Sequence, residues 1–167
     1  QLVLVDHRGC VADAVFEENP FSQEGAVEHK RVDVCCPISG KVIEKMDLCL
    51  ADLDKIKDNI GMIVILATTK ASACSLDIPP CSLVVAHKHT GELAGKYPIC
   101  HVHGATGNIV ACIRLNTIEL RHDKKALPDD EFWTLTGVNE PVCDGRHFMD
   151  CLRQIRFTIV RMYPDPH

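Results

Sequence analysis

No apolar run in this 167-residue chain approaches the roughly 18 to 20 residues that a bilayer-crossing helix needs; the longest spans only residues 61–67. A helical membrane span is therefore excluded. Cys-x2-Cys knuckles, in which a tight turn offers two thiolates to one zinc ion, are absent. So are the Gly-x-Ser-x-Gly elbow, a phosphate-cradling glycine loop and a dinucleotide fingerprint, which removes the commonest enzyme signatures. No Asn-x-Ser/Thr sequon, internal repeat or low-complexity segment occurs. Charge of one sign never gathers into a block: 23 acidic and 18 basic residues give a net charge of -5. The densest basic cluster, Arg121, His122, Lys124 and Lys125, is broken by Asp123 and followed by Asp129, Asp130 and Glu131. Nucleic acid is accordingly not an expected partner, because counterion release needs an unbalanced basic face.

What the chain does have is cysteine, ten of them: Cys10, Cys35, Cys36, Cys49, Cys74, Cys81, Cys100, Cys112, Cys143 and Cys151. The even count and wide spacing read as up to five disulfides in an oxidising compartment. Neighbouring residues on a strand face opposite sides, so adjacent Cys35 and Cys36 would find two different partners. The sequence opens on Gln1, with no initiating Met and no signal-like segment, as a secreted chain does once its leader is removed. A secreted, extracellular location follows as the expectation; reduced thiols with scattered zinc sites inside a cell are the alternative.

Length and a composition of 46% apolar and 25% charged residues point to one folded domain over 1–167. Residues 2–5 form an apolar run suited to an edge or closing strand, and polar residues 17–31 read as loop, with Lys30 and Arg31 a solvated basic pair. Val42, Met46, Cys49, Leu53, Ile56 and Ile60 recur at steps of four and three, which predicts a long amphipathic helix over 41–60. Short apolar or alternating runs at 62–67, 83–86, 97–103, 109–115 and 117–122 predict strands, with a hairpin joining 97–103 to 108–115 across 104–107. A second helix is expected from near Asp144, with Phe148, Cys151, Leu152 and Ile155 on one stripe, and a closing strand over 157–163. The predicted fold is α+β: a mainly antiparallel sheet with one long and one shorter helix packed on it, stabilised by disulfides.

Histidine supplies the candidate chemistry. His87 and His89 form one His-x-His pair, His101 and His103 another, and residues two apart on a strand share a face. Three imidazoles with an open position suit a catalytic zinc, and imidazole also suits copper. The same histidines could act as acid and base, with Arg114 or Lys96 holding a phosphate. Against both stands the ordinary role of surface histidine on a half-exposed strand. Cys143, Asp144 and His147 could be a nucleophile, its orienting acid and its base, but in an oxidising compartment Cys143 reads as half a cystine. Trp133, the single tryptophan, is either an interface anchor or a sheet-packing aromatic.

The Gln1 start, the dispersed cysteines with vicinal Cys35 and Cys36, the 41–60 helix and the 62–122 meander together resemble the small secreted cysteine-rich effector and avirulence proteins of plant-pathogenic fungi. The resemblance lies in general plan, without a signature motif. One structural class there carries Trp followed by Arg, whereas Trp133 is followed by Thr134. The resemblance implies a non-enzymatic protein that binds a host or target protein, needs no cofactor and brings no site residues with it. The expected function is therefore a secreted binding protein, with a histidine-centred hydrolase as the alternative.

Overall fold

The computed structural model describes residues 1–30, 45–49, 53, 60–68, 81–99, 104–115, 133–143 and 145–162. Nine strands are delimited: β1 (Leu2–Asp6), β2 (Val11–Val15), β3 (Val27–Lys30), β4 (Lys45–Leu48), β5 (Ile60–Thr68), β6 (Ser82–Ala86), β7 (Leu93–Pro98), β8 (Ala105–Leu115) and β9 (Trp133–Cys143). One helix, α1 (Leu152–Met162), follows them. The main sheet is five-stranded in the order β2-β1-β5-β8-β9, and every pairing in it is antiparallel. Two separate two-stranded sheets, β3-β4 and β6-β7, complete the described fold.

The two apolar runs that stand out in the sequence become the centre of the main sheet because both of its faces are covered. Along β1, Leu2 and Leu4 point to one core while Val3 and Val5 point to the other. Along β5, Ile63 and Ile65 alternate in the same way with Met62, Val64 and Leu66. The first core is closed by Val27, Met46 and Leu48 of β3-β4 and by Leu83 and Tyr97 of β6-β7. The second is closed by Cys151, Ile155 and Ile159 at and within α1. Each aliphatic side chain buried this way contributes on the order of 1.5–3 kcal/mol of transfer free energy. No helix among the described residues is long and apolar enough to cross a membrane.

The predicted fold class needs correction: the described chain is mainly antiparallel sheet with a single delimited helix, and no disulfide links its described residues. The helix expected over 41–60 is replaced at 45–48 by β4, and Ile60 opens β5. Met46 and Leu48, two apart, both pack on the first core, so the local period is that of a strand. Pairing with β3 then overrides the longer helical stripe. Leu53, helical and fully buried, is the one described residue between 50 and 59. The loop expected over 17–31 contains β3 from Val27 to Lys30. β1 is an interior strand, lying between β2 and β5.

The hairpin expected between 97–103 and 108–115 does not form along β8, because β5 and β9 occupy its two sides from Gly107 to Arg114. β7 pairs instead with β6. Residues 100–103, 117–122 and Asp144 lie outside the described residues. The closing strand predicted over 157–163 is helix through Met162. Its β-branched Thr158 and Ile159 are buried with Ile155 at helical spacing against the second core, and that burial outweighs their strand propensity.

The cystine expectation is also overturned for five of the described thiols. Cys10, Cys49, Cys112, Cys143 and Cys151 are unlinked, the first two and Cys143 exposed, Cys112 and Cys151 buried. Cys81 is exposed, and Cys35, Cys36, Cys74 and Cys100 lie outside the described residues. A disulfide requires two Cα atoms within about 7 Å and converging Cβ vectors, which cysteine count and spacing in sequence do not specify. Burial raises the thiol of Cys112 to about 12 and that of Cys151 to about 11. Both therefore act as small apolar core groups.

Candidate functional site

The first His-x-His pair sits at the tip of the β6-β7 hairpin. His87 N–H donates to the Glu92 carbonyl at 2.8 Å, Gly91 N–H donates back to the His87 carbonyl at 2.9 Å, and Gly91 adopts a φ of +71°. This fixes a short reversal in which His87 and His89 are both exposed. Lys88 between them is the anchored residue: its Nζ lies 3.0 Å from Oδ2 of Asp47. Lys30 reaches the same oxygen at 2.7 Å and Lys45 reaches Oδ1 at 3.4 Å. Hydrogen bonds from Lys30 and Lys88 hold the Asp47 carboxyl well below the usual carboxylate range. The cluster clamps the β3-β4 sheet to the β6-β7 tip, and it gives Lys30 of the basic pair a structural partner.

His101 and His103 lie outside the described residues. Among the described residues no three His, Cys, Asp or Glu side chains gather as metal ligands. Arg114, a candidate cation for holding a phosphate, instead donates from Nη1 to the carbonyl of Met162 and so ties β8 to the C-terminus of α1. His147 is also engaged: its ring meets Phe16 edge-on at 4.7 Å and Phe148 at 4.5 Å, while Nδ1 accepts from Met149 N–H at 3.3 Å. An imidazole held this way is occupied in shaping the turn before α1. Trp133 is half-buried at the start of β9, packed on the first core and paired with Leu115.

The feature that sequence reasoning missed is the outward face of α1. The helix is fixed from several sides before that face is presented. Asp150 accepts from Arg146 N–H at 3.2 Å and His147 N–H at 3.0 Å, and Gln1 binds the same turn by accepting from Phe148 N–H at 3.0 Å. Gly145 passes so close to the helix start that a Cβ there would lie 2.5 Å from Sγ of Cys151. At the other end Arg161 pairs with Glu140 of β9 at 3.2 Å.

With Ile155, Thr158 and Ile159 turned to the core, Arg153, Arg156, Phe157 and Val160 face solvent. These four line one shallow open hollow. Phe157 is 61% and Val160 70% exposed, and the Arg153 guanidinium lies 5.7 Å above the Phe157 ring. A cation over an aromatic face is attracted by the ring quadrupole and holds the ring in place. The signal was present in the sequence as Arg153, Phe157 and Val160 at i, i+4 and i+7, and it was hidden by reading 157–163 as a strand.

Compared with protein-family models, curated proteins and solved structures, the chain matches none.

Proposed function

We propose that this chain is a protein-binding domain that docks a target protein on the outward face of α1. The observation that carries the reading is the adjacent exposure of Phe157 and Val160, framed by Arg153 and Arg156, on a helix that is otherwise firmly seated. Isolated exposed apolar residues are ordinary on a protein surface, as at Val11 and Phe21. Phenylalanine and arginine are among the residue types that interfaces enrich, and the valine beside them extends the apolar area that a partner can cover. Covering both apolar side chains is worth on the order of 3–6 kcal/mol in gross transfer free energy, from which the ordering of the partner is subtracted. A rigid helix keeps that subtraction small on this side of the interface.

The secreted, effector-like setting expected from the sequence drew its support from cystine cross-links, and the unlinked described thiols do not add to it. Binding is proposed on the helix face alone. The test is selection from a random peptide library displayed on phage, with the Phe157→Ala/Val160→Ala variant used for counter-selection. Clones that hold the native protein and release the variant are expected. A library that yields none, with the variant's circular dichroism unchanged, would remove the proposal.

A further inference from the structure

We infer that the α1 face takes a short acidic segment carrying an aromatic or aliphatic anchor, an inference that rests on the binding reading above. Among the described residues neither Arg153 nor Arg156 has a carboxylate partner. Two carboxylates that touch α1 or the turn before it are already committed: Glu140 to Arg161, and Asp150 to the backbone N–H groups of Arg146 and His147. Two guanidiniums therefore flank an apolar pair with their donors directed at solvent. Each can take a carboxylate through two parallel hydrogen bonds, while the side chain between the partner's acids lies in the hollow beside Phe157 and Val160.

The charge of the whole chain selects the kind of partner. At a net -5, the protein is opposite in sign to this patch. Charges more than about 8 Å apart are largely screened at physiological ionic strength, so the arginines act locally. A short segment meets only the patch. An anionic membrane or a nucleic acid would also meet the acidic remainder and be repelled by it. A second copy of this chain fits poorly as well, because a two-fold contact would set Arg153 and Arg156 against their own counterparts. From Arg153 to Val160 the face runs about 10 Å, which matches about three extended residues or two helical turns of partner.

The selected phage clones are sequenced, and the best is synthesised with a fluorescent label. Its binding is followed by polarisation at about 50 and about 500 mM NaCl. Asp and Glu are expected to be enriched around a Trp, Phe, Leu or Ile. Affinity should fall about tenfold or more in Arg153→Gln/Arg156→Gln and again at high salt. Clones that depend on Phe157 and Val160 but are neutral or basic would overturn the acidic assignment and leave the binding reading standing. Absence of any clone dependent on the face would overturn both. Sedimentation with phosphatidylserine vesicles, lost in the double arginine variant, would overturn the inference in favour of a lipid surface.

Discussion

A methyl group on Gly137 would sit 2.8 Å from both Cδ1 and Cε1 of Tyr97, so the bare backbone of β9 is the surface on which that ring rests. Gly95 crowds the ring from within β7, where an added Cβ would lie 2.8 Å from Cε2. The ring thereby seats the β6-β7 hairpin, and with it the His87 and His89 tip, on the main sheet. Gly137→Ala is expected to destabilise by about 1–3 kcal/mol, read as a lower urea midpoint at unchanged m-value. In a Tyr97→Ala background the same substitution should cost almost nothing. A penalty that persists there would show that the ring is not its cause.

Thr158 is completely buried in α1, and its hydroxyl has no hydrogen-bond partner among the described residues. Valine has nearly the same shape and no polar group to desolvate. Thr158→Val should therefore stabilise the fold by about 1 kcal/mol, raising the thermal midpoint by a few degrees. A loss of stability in calorimetry would mean that the hydroxyl finds a partner after all.

The Asp47 carboxyl is held below its ordinary range by Lys30 and Lys88, which ties folding to pH. A depressed folded-state value adds stability above the unfolded value near 4 and loses it as pH falls below that. Native protein should therefore lose unfolding free energy from about pH 4 downward more steeply than Asp47→Asn. Parallel acid limbs for the two proteins in urea titrations would exclude Asp47 as a source of that stability.

Burial raises the thiols of Cys112 and Cys151 to about 12 and about 11, which leaves almost no thiolate near neutrality. Iodoacetamide at about pH 8 should leave both unmodified in the folded protein and modify both in denaturant. Peptide mapping by mass spectrometry reads the outcome directly. Rapid labelling of either under native conditions would indicate that the second core opens to solvent.

The helix face shows where sequence patterning stops being informative. Arg153, Phe157 and Val160 have helical spacing, yet the stretch 157–163 is also β-branched and aromatic enough to suit a strand. Ile155, Thr158 and Ile159 decide between the two only because the second face of the sheet stands ready to bury them together. Residues 45–48 fail in the opposite direction. A convincing helical stripe runs through them, but β3 offers a ladder on which Met46 and Leu48 reach the first core. Short segments have two local solutions, and the neighbours choose.

By itself, the sequence determined that residues 2–5 and 62–67 are strands, because β1 and β5 are continuous apolar runs; the sheet order made β1 an interior strand and not an edge. It also determined that the chain would be rich in antiparallel sheet and would carry a helical stripe through Cys151 and Ile155, although it read the residues after that stripe as a strand. Tertiary structure decided which thiols stand apart, which lysine of the histidine tip is anchored, and which side of α1 is left to solvent. Those properties depend on distances between segments remote along the chain, and packing sets such distances where local periodicity cannot.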